Sequence, residues 1–297
     1  MWYKPGTFPA PSLPPMNPPW NSVAIVGVGL IGGSVGRALL GRGLARQVVG
    51  IGRSQASLDE ARRSGAVTEI SLDPEAAADA DLVLVAASVA AIPQLLDRVD
   101  AVVRPGTLLT DAGSTKGSIV AAWERKRRSR RGRFVAAHPL AGSHRRGPQA
   151  ADGDLFNGRV VVVTPAKATP PEDTAAIGEF WSALGSTVYL MPPREHDKLV
   201  AATSHAPHLI AAAIAAATPP AALPFTAGGW RDTTRIAAGD PELWADILLD
   251  NAPAVAAALR RINTAAARLL AAIEAGDRRR LTSLLSRAKD TRDALGS

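Results

Sequence analysis

Between Val23 and Leu190, short apolar runs alternate with segments of helical length. Val23–Val26, Gln47–Ile51, Leu82–Ala86, Thr107–Thr110, Phe134–Ala136, Val160–Val163 and Thr187–Leu190 read as strands. Helices fit Leu30–Arg42, Ser57–Ser64, Val89–Val99, Lys116–Arg128 and Pro171–Leu184. Strands separated by helices imply βαβ units, and so an α/β fold with a doubly wound, mainly parallel sheet. After Pro192 the strands stop. His196–Ala217 and Pro241–Ala275 read as long helices, with a shorter one over Arg278–Arg292. Their Ala-rich faces are apolar all round, which points to burial against one another or against a second subunit. Ahead of the first strand, seven prolines from Pro5 to Pro19 rule out helix and interior strand. Three regions follow: a disordered leader over 1–20, an α/β domain over 21–190 and an all-helical domain over 191–297.

Composition narrows the chemistry. The 297 residues contain no cysteine, which excludes disulfides, thiolate metal sites, iron–sulfur clusters and cysteine nucleophiles. Hydrophobic residues make up 46% and charged residues 21%, both near the globular average, so wholesale disorder and coiled coil are excluded. The net charge of +7 suits nucleic acid, a membrane surface or anionic small molecules. The densest basic cluster is Arg125, Lys126, Arg127, Arg128, Arg130, Arg131 and Arg133. It lies between a helix and a strand and has no interleaved aromatic side chains for base stacking, so it reads as a solvated turn rather than a nucleic-acid patch. No apolar run is long enough to span a bilayer, His208–Ala217 being too short. Lys4 followed by the apolar stretch from Val23 has the outline of a signal peptide, but the glycines inside that stretch have another use. A cytoplasmic protein with neither a membrane nor a nucleic-acid partner is the expectation.

Those glycines form Gly27-Val28-Gly29-Leu30-Ile31-Gly32, directly after a strand and at the start of a helix. In a Rossmann-type domain the first makes the tight turn, the second lets the backbone approach a pyrophosphate, and the third lets helix and strand pack closely. The helix N-terminus then offers free amides to the phosphates. The second strand ends in Gly50-Ile51-Gly52-Arg53-Ser54, with no acid until Asp59. NAD sites usually place an acid there for the ribose, whereas Arg53 and Ser54 suit a 2′-phosphate. NADP is therefore favoured over NAD. Cofactor contacts are expected at Gly27, Gly29, Leu30, Ile31, Gly32, Arg53, Ser54, Ala87 and Ser114.

Three further motifs lie at strand or helix ends: Asp111-Ala-Gly-Ser114-Thr-Lys116, His138-Pro-Leu-Ala-Gly142, and Gly228-Gly-Trp-Arg-Asp232-Thr-Thr-Arg235-Ile-Ala with Asp240-Pro-Glu-Leu-Trp244. Together with the glycine turn and Ser204-His205-Ala-Pro-His208, this set resembles the prephenate/arogenate dehydrogenase family of tyrosine biosynthesis. The resemblance runs from about Ser22 to the C-terminus, with the motifs in family order.

The resemblance implies an oxidative decarboxylation. A ring carbon bearing a hydroxyl gives hydride to the nicotinamide, a base takes the hydroxyl proton, and loss of CO2 aromatises the ring. By family match the base is His138, a neutral imidazole suited to the working pH. Ser114 would bond the same hydroxyl or the imidazole, beside the nicotinamide. Arg235 would clamp a substrate carboxylate through its planar fork. Asp232 would orient Arg235, and Lys116 would position Ser114 or attract the anionic substrate. His205 and His208 are given substrate-pocket roles, without a choice of which points inward. Their spacing of three also raises a metal site, but no carboxylate partner accompanies them and none is expected. Trp244 reads as packing or pocket wall.

One stretch departs from the family pattern. Where the family commonly has Thr-Glu-x-Ser-Gly, this chain has Ser143-His144-Arg145-Arg146-Gly147. Losing the acid removes a partner for the ammonium of arogenate, so the basic run favours prephenate. The expectation is a prephenate dehydrogenase, homodimeric through its helical domain. Its alternatives are an arogenate or dual-specificity cyclohexadienyl dehydrogenase and, more remotely, a non-catalytic nucleotide-sensing or nucleic-acid-binding Rossmann protein.

Overall fold

The first strand, β1 (Trp20–Val26), is apolar without a break from Val23 to Val26 because both of its faces are covered there. Val23 and Ile25 enter a core on one side of the sheet. Ala24 and Val26 enter the core on the other. The computed structural model describes residues 19–142, 147–294 and 296. Most of the proline-rich leader, and Ser143, His144, Arg145 and Arg146 with the substrate argument built on them, lie outside the described residues.

Around β1 the strands β2 (Ala45–Ile51), β3 (Glu69–Ser71), β4 (Leu82–Val85), β5 (Leu108–Asp111) and β6 (Arg133–Phe134) form a six-stranded sheet in the order β3-β2-β1-β4-β5-β6. Every pairing in it is parallel. The edge strand β3 is the one that sequence periodicity misses, since its three residues contain no buried side chain. The helices α1 (Leu30–Gly41), α2 (Gln55–Arg63), α3 (Ile92–Val102) and α4 (Gly117–Arg125) are the crossovers. Three residues later than expected, α3 begins beside Pro93, whose fixed φ suits a first helical turn. The expected strand Phe134–Ala136 is in fact two. After Val135 the chain leaves β6 and enters β7 (Ala136–Pro139). This strand pairs antiparallel with β8 (Val160–Thr164), which pairs parallel with β9 (Thr187–Leu190). Between β8 and β9 lies α5 (Pro171–Ala183), whose Phe180 and Trp181 are fully buried.

Beyond β9 the structure is helical. The expected helix His196–Ala217 starts earlier and has three parts: α6 (Pro193–Val200), a π-turn over Ala201–His205, and α7 (Ala206–Ala217). Pro207 explains the widening. It has no amide to give the carbonyl of Thr203 and its ring crowds that position, so an inserted residue relieves the clash without ending the helix. The continuous run Pro193–Ala217 is 25 residues long and contains an 18-residue window with a mean hydropathy of 1.4, so by length and composition alone it passes as a membrane span, which the expectation drawn from His208–Ala217 did not allow for. Three of its side chains, His196, His205 and His208, are buried inside the protein.

Next come α8 (Gly228–Thr234), a 3-10 turn over Arg235–Ala238, α9 (Pro241–Asp250), α10 (Ala252–Glu274) and α11 (Arg278–Asp293). The expected helix Pro241–Ala275 is broken at Asn251 because Pro253, in the first turn of α10, cannot continue the hydrogen-bond ladder from α9. This region buries little of itself. Its core cluster consists of Ala201, Ala206, Val255 and Ala258, and no residue of α11 is buried.

Candidate active site

The ends of β1, β2, β4 and β5 lie along one edge of the sheet, and β1 and β4 are neighbours whose crossovers run in opposite directions. That switch point is where open α/β sheets bind nucleotides. Gly27 takes φ +94°, and a Cβ there would lie 2.2 Å from the carbonyl oxygen of Ala86, one residue before Ala87. At Gly32 a Cβ would lie 2.2 Å from the carbonyl oxygen of Gly27, so only glycine lets α1 start this close to β1. At Gly29, by contrast, a Cβ would meet nothing within 4 Å, which leaves room in front of the helix. No acidic residue occupies the first turn of α1, and the amides of that turn, including those of Leu30, Ile31 and Gly32, have no intrahelical acceptor. This cradle fits a dinucleotide pyrophosphate. Past the end of β2, Arg53 is exposed and forms no ion pair with a described residue, while Ser54 caps α2 by accepting the Ser57 amide.

Beside the cradle is a cavity of about 780 Å³ whose wall includes Ser114, His138, His205, Arg235 and Trp244. The structure therefore brings together residues that lie far apart in sequence. Of the two histidines on α7 and its π-turn, His205 lines the cavity. His208 stacks face to face on Trp244, with ring centroids 3.6 Å apart. His205 meets the same Trp244 ring edge-on at 6.1 Å, and its Nδ1 lies 3.3 Å from the side-chain Nδ2 of Asn251.

Two expectations for this site need correction. Lys116 faces neither solvent nor the cavity. Its side chain is fully buried, ion-paired with Asp111, and donates to the carbonyl of Ala137 at 2.8 Å. Asp111 in turn accepts from the amides of Ala137 at 3.1 Å and Gly113 at 2.9 Å. The pair thus holds both backbone groups of the residue before His138, and its role is to position β7. Asp232, likewise, is exposed and forms no ion pair with Arg235; the two lie in different elements, Asp232 in α8 and Arg235 at the start of the 3-10 turn that follows it, and both are open to solvent.

Sequence reasoning missed the residues behind His138. His138 Nδ1 lies 2.8 Å from His196 Nε2, and His196 Nδ1 lies 2.9 Å from Asp197 Oδ1. The Asp197 carboxylate also accepts the amides of Lys116 and Gly117, both at 2.8 Å. Thr115 and Ser118 donate to Asp250 at 2.6 and 2.7 Å, so two aspartates from the helical region grip the loop that carries Ser114. The one signal for this in the sequence is the His196-Asp197 pair immediately after the Pro192–Pro193 boundary.

Burial sets the protonation of the site. It holds the His138 imidazole well below the usual histidine range, helped by nearby His196, Lys116 and His205. Burial also lowers His196, against the pull of Asp197, and brings His205 down to about 4. Burial alone would raise the Asp197 carboxyl, but the bonds from His196 and from the Lys116 and Gly117 amides take it below its ordinary value. The cavity thus presents neutral imidazoles at neutral pH, with an ionised carboxylate behind one of them.

The basic cluster is mostly exposed, and three of its members form ion pairs within the fold. Lys126 and Arg130 pair with Asp97, Arg130 sits over the Trp123 ring at 4.1 Å, and Arg133 pairs with Asp173.

Comparison with known proteins bears on the whole chain. Residues 35–190 match the family model described as prephenate dehydrogenase, nucleotide-binding domain, and residues 192–287 match that described as prephenate dehydrogenase, dimerization domain. The chain belongs to the prephenate dehydrogenase family. Among members of that family and its neighbours, it is 33% identical to the cyclohexadienyl dehydrogenase of Zymomonas mobilis, over 80% of this chain and 83% of that one. It is 30% identical to the prephenate dehydrogenase of Bacillus subtilis, over 94% and 77% of the two chains. The solved prephenate dehydrogenase of A. aeolicus, in complex with hydroxyphenyl propionate and NAD+, superposes with a TM-score of 0.85 at 28% identity, covering 93% of this chain and 98% of that one.

Proposed function

We propose that this protein catalyses the oxidative decarboxylation of prephenate to 4-hydroxyphenylpyruvate, a step of tyrosine biosynthesis. The observation that carries the reading is the convergence of Ser114, His138 and Arg235 on one cavity beside the glycine cradle. NAD(P), when bound, supplies the hydride acceptor. His138 accepts the substrate hydroxyl proton, its imidazole being kept neutral by burial. Ser114 hydrogen-bonds that hydroxyl and aligns it. Arg235, exposed on the far wall, takes a substrate carboxylate through its fork. His205, neutral across the physiological range, adds a polar contact to the ring side chain. Loss of CO2 then leaves a phenolate, which recovers the proton.

The favoured cofactor is NADP, which Arg53 and Ser54 support at the corner where NAD sites carry an acid. The second reading, an arogenate or dual-specificity enzyme, is supported by the identity to the cyclohexadienyl dehydrogenase of Zymomonas mobilis. The working unit is a homodimer through the helical region, supported by the dimerization-domain match and by apolar side chains such as Leu249, 75% exposed, and Ile273, 62% exposed. The test is nucleotide reduction followed by absorbance, with prephenate or arogenate and NAD or NADP in all four pairings. Fastest turnover with prephenate and NADP is expected. Turnover with arogenate alone would overturn the substrate assignment, and silence in all four the activity.

A further inference from the structure

The hydrogen-bond chain behind His138 admits one assignment of protons. Asp197 is ionised and can only accept, so His196 must carry its proton on Nδ1 and donate it there. A neutral His196 then has a bare Nε2, which can only accept. The 2.8 Å contact is therefore a donation from His138 Nδ1–H, and the lone pair of His138 is on Nε2. Neutral tautomers in the opposite sense would bring either two protons or two lone pairs face to face.

The reaction proposed above, on which this inference rests, has a particular proton balance. Oxidation releases one hydroxyl proton and decarboxylation creates one phenolate, so the proton must be stored between the two steps rather than released. His138 is a poor place to keep it. The charges facing it from neighbouring elements are Lys116, paired with Asp111 on β5, and the nearby rings of His196 and His205, and no acidic side chain among the described residues touches it. One bond away, His196 is fully buried and directly against Asp197.

We infer that His196 and Asp197 extend His138 into a proton-storing relay. As the substrate O–H breaks and a bond forms to His138 Nε2, the Nδ1 proton of His138 passes to His196 Nε2. The imidazolium so formed lies against the Asp197 carboxylate. After CO2 leaves, the phenolate oxygen takes the proton from His138 Nε2, His196 returns its proton to His138 Nδ1, and all three groups regain their starting state. His196 and Asp197 touch neither substrate nor nucleotide and are positioning residues.

The test has two arms. In the nucleotide-free wild-type protein, 15N NMR of the histidine rings should find His138 and His196 both protonated on Nδ1 at neutral pH. A proton on His138 Nε2 would overturn the assignment whatever the enzyme turns over. The second arm is His196→Gln, in which a side-chain oxygen can still accept from His138 Nδ1–H but cannot take up a proton. The relay predicts an unchanged His138 tautomer and KM, with kcat lower by about 100-fold and the acid limb of the kcat profile displaced. His196→Gln with wild-type kcat and pH profile would reduce His196 to a structural prop and sink the relay. Silence of the wild type in all four substrate and nucleotide pairings would instead remove the reaction, and the NMR arm would still read the tautomers.

Discussion

The sheet region and the helical region solve burial differently. Helix α1 buries seven of its 12 residues against the sheet, whereas α10 buries only Val255, Ala258 and Ala272 of its 23. The first region completes its core within one chain. The second leaves Leu249, Leu270 and Ile273 more than half exposed, the surface that the proposed dimer would cover. The active site lies where the two meet. The sheet side contributes His138 and Ser114, the groups proposed to act at the reacting hydroxyl. The helical side contributes Arg235 and His205, proposed above to bind substrate, and Asp197 and Asp250, which grip the loop that carries Ser114.

The sharpest way to exploit that contrast is to remove one group from each side of the cavity. His138→Asn should lower kcat by about 10²–10⁴-fold while nucleotide binding, read by fluorescence titration, is unchanged. Near-normal turnover would remove it as the base. Next in size is Lys116→Met, which leaves the Asp111 carboxylate buried without its cation. Urea denaturation should show a loss of about 3–5 kcal/mol, independent of protein concentration because the damage is internal to the sheet region.

Acid should act on the other side. His205 titrates near 4 in the folded chain and near 6.5 unfolded, so the unfolded state binds its proton first as pH falls. Stability is complete above about pH 6.5 and declines towards pH 4, by roughly 3 kcal/mol for this one buried group. Thermal melts between pH 7 and 4.5 would measure it, and a flat Tm would contradict the burial argument. Arg235→Gln, on the helical wall, should raise KM by about 10–100-fold with little change in kcat, as expected when one charge-assisted pair is lost. The smallest effect is expected from Ile273→Glu. It should weaken the dimer by about tenfold, seen by light scattering on dilution, yet leave the fold of each chain intact.

Much of this was legible in one dimension. The runs Val23–Val26, Leu82–Val85 and Val160–Val163 are apolar throughout because helices cover both faces of the sheet, and such runs announce themselves. The glycines at 27, 29 and 32 announced the cradle for the same kind of reason, since their job is set by the backbone within a few residues. The helix breaks were harder. Pro207 and Pro253 are visible, but whether a proline widens a helix into a π-turn or ends it depends on what packs around it.

The site divides along the same line. Residue types fixed the chemistry: a histidine, a serine and an arginine in recognisable motifs, in a chain without cysteine. Where each side chain points was decided in three dimensions. Lys116 and Asp232 both sit in motif positions, yet one is sealed against Asp111 and the other faces water. His196 is not legible in the sequence although it lies 2.8 Å from His138, because the two are 58 positions apart and no periodic signal joins them. Local sequence determines local backbone, through sterics and hydrophobic period. Partners across the fold are chosen by which buried polar groups are left to satisfy one another, and that is known only when the chain has closed.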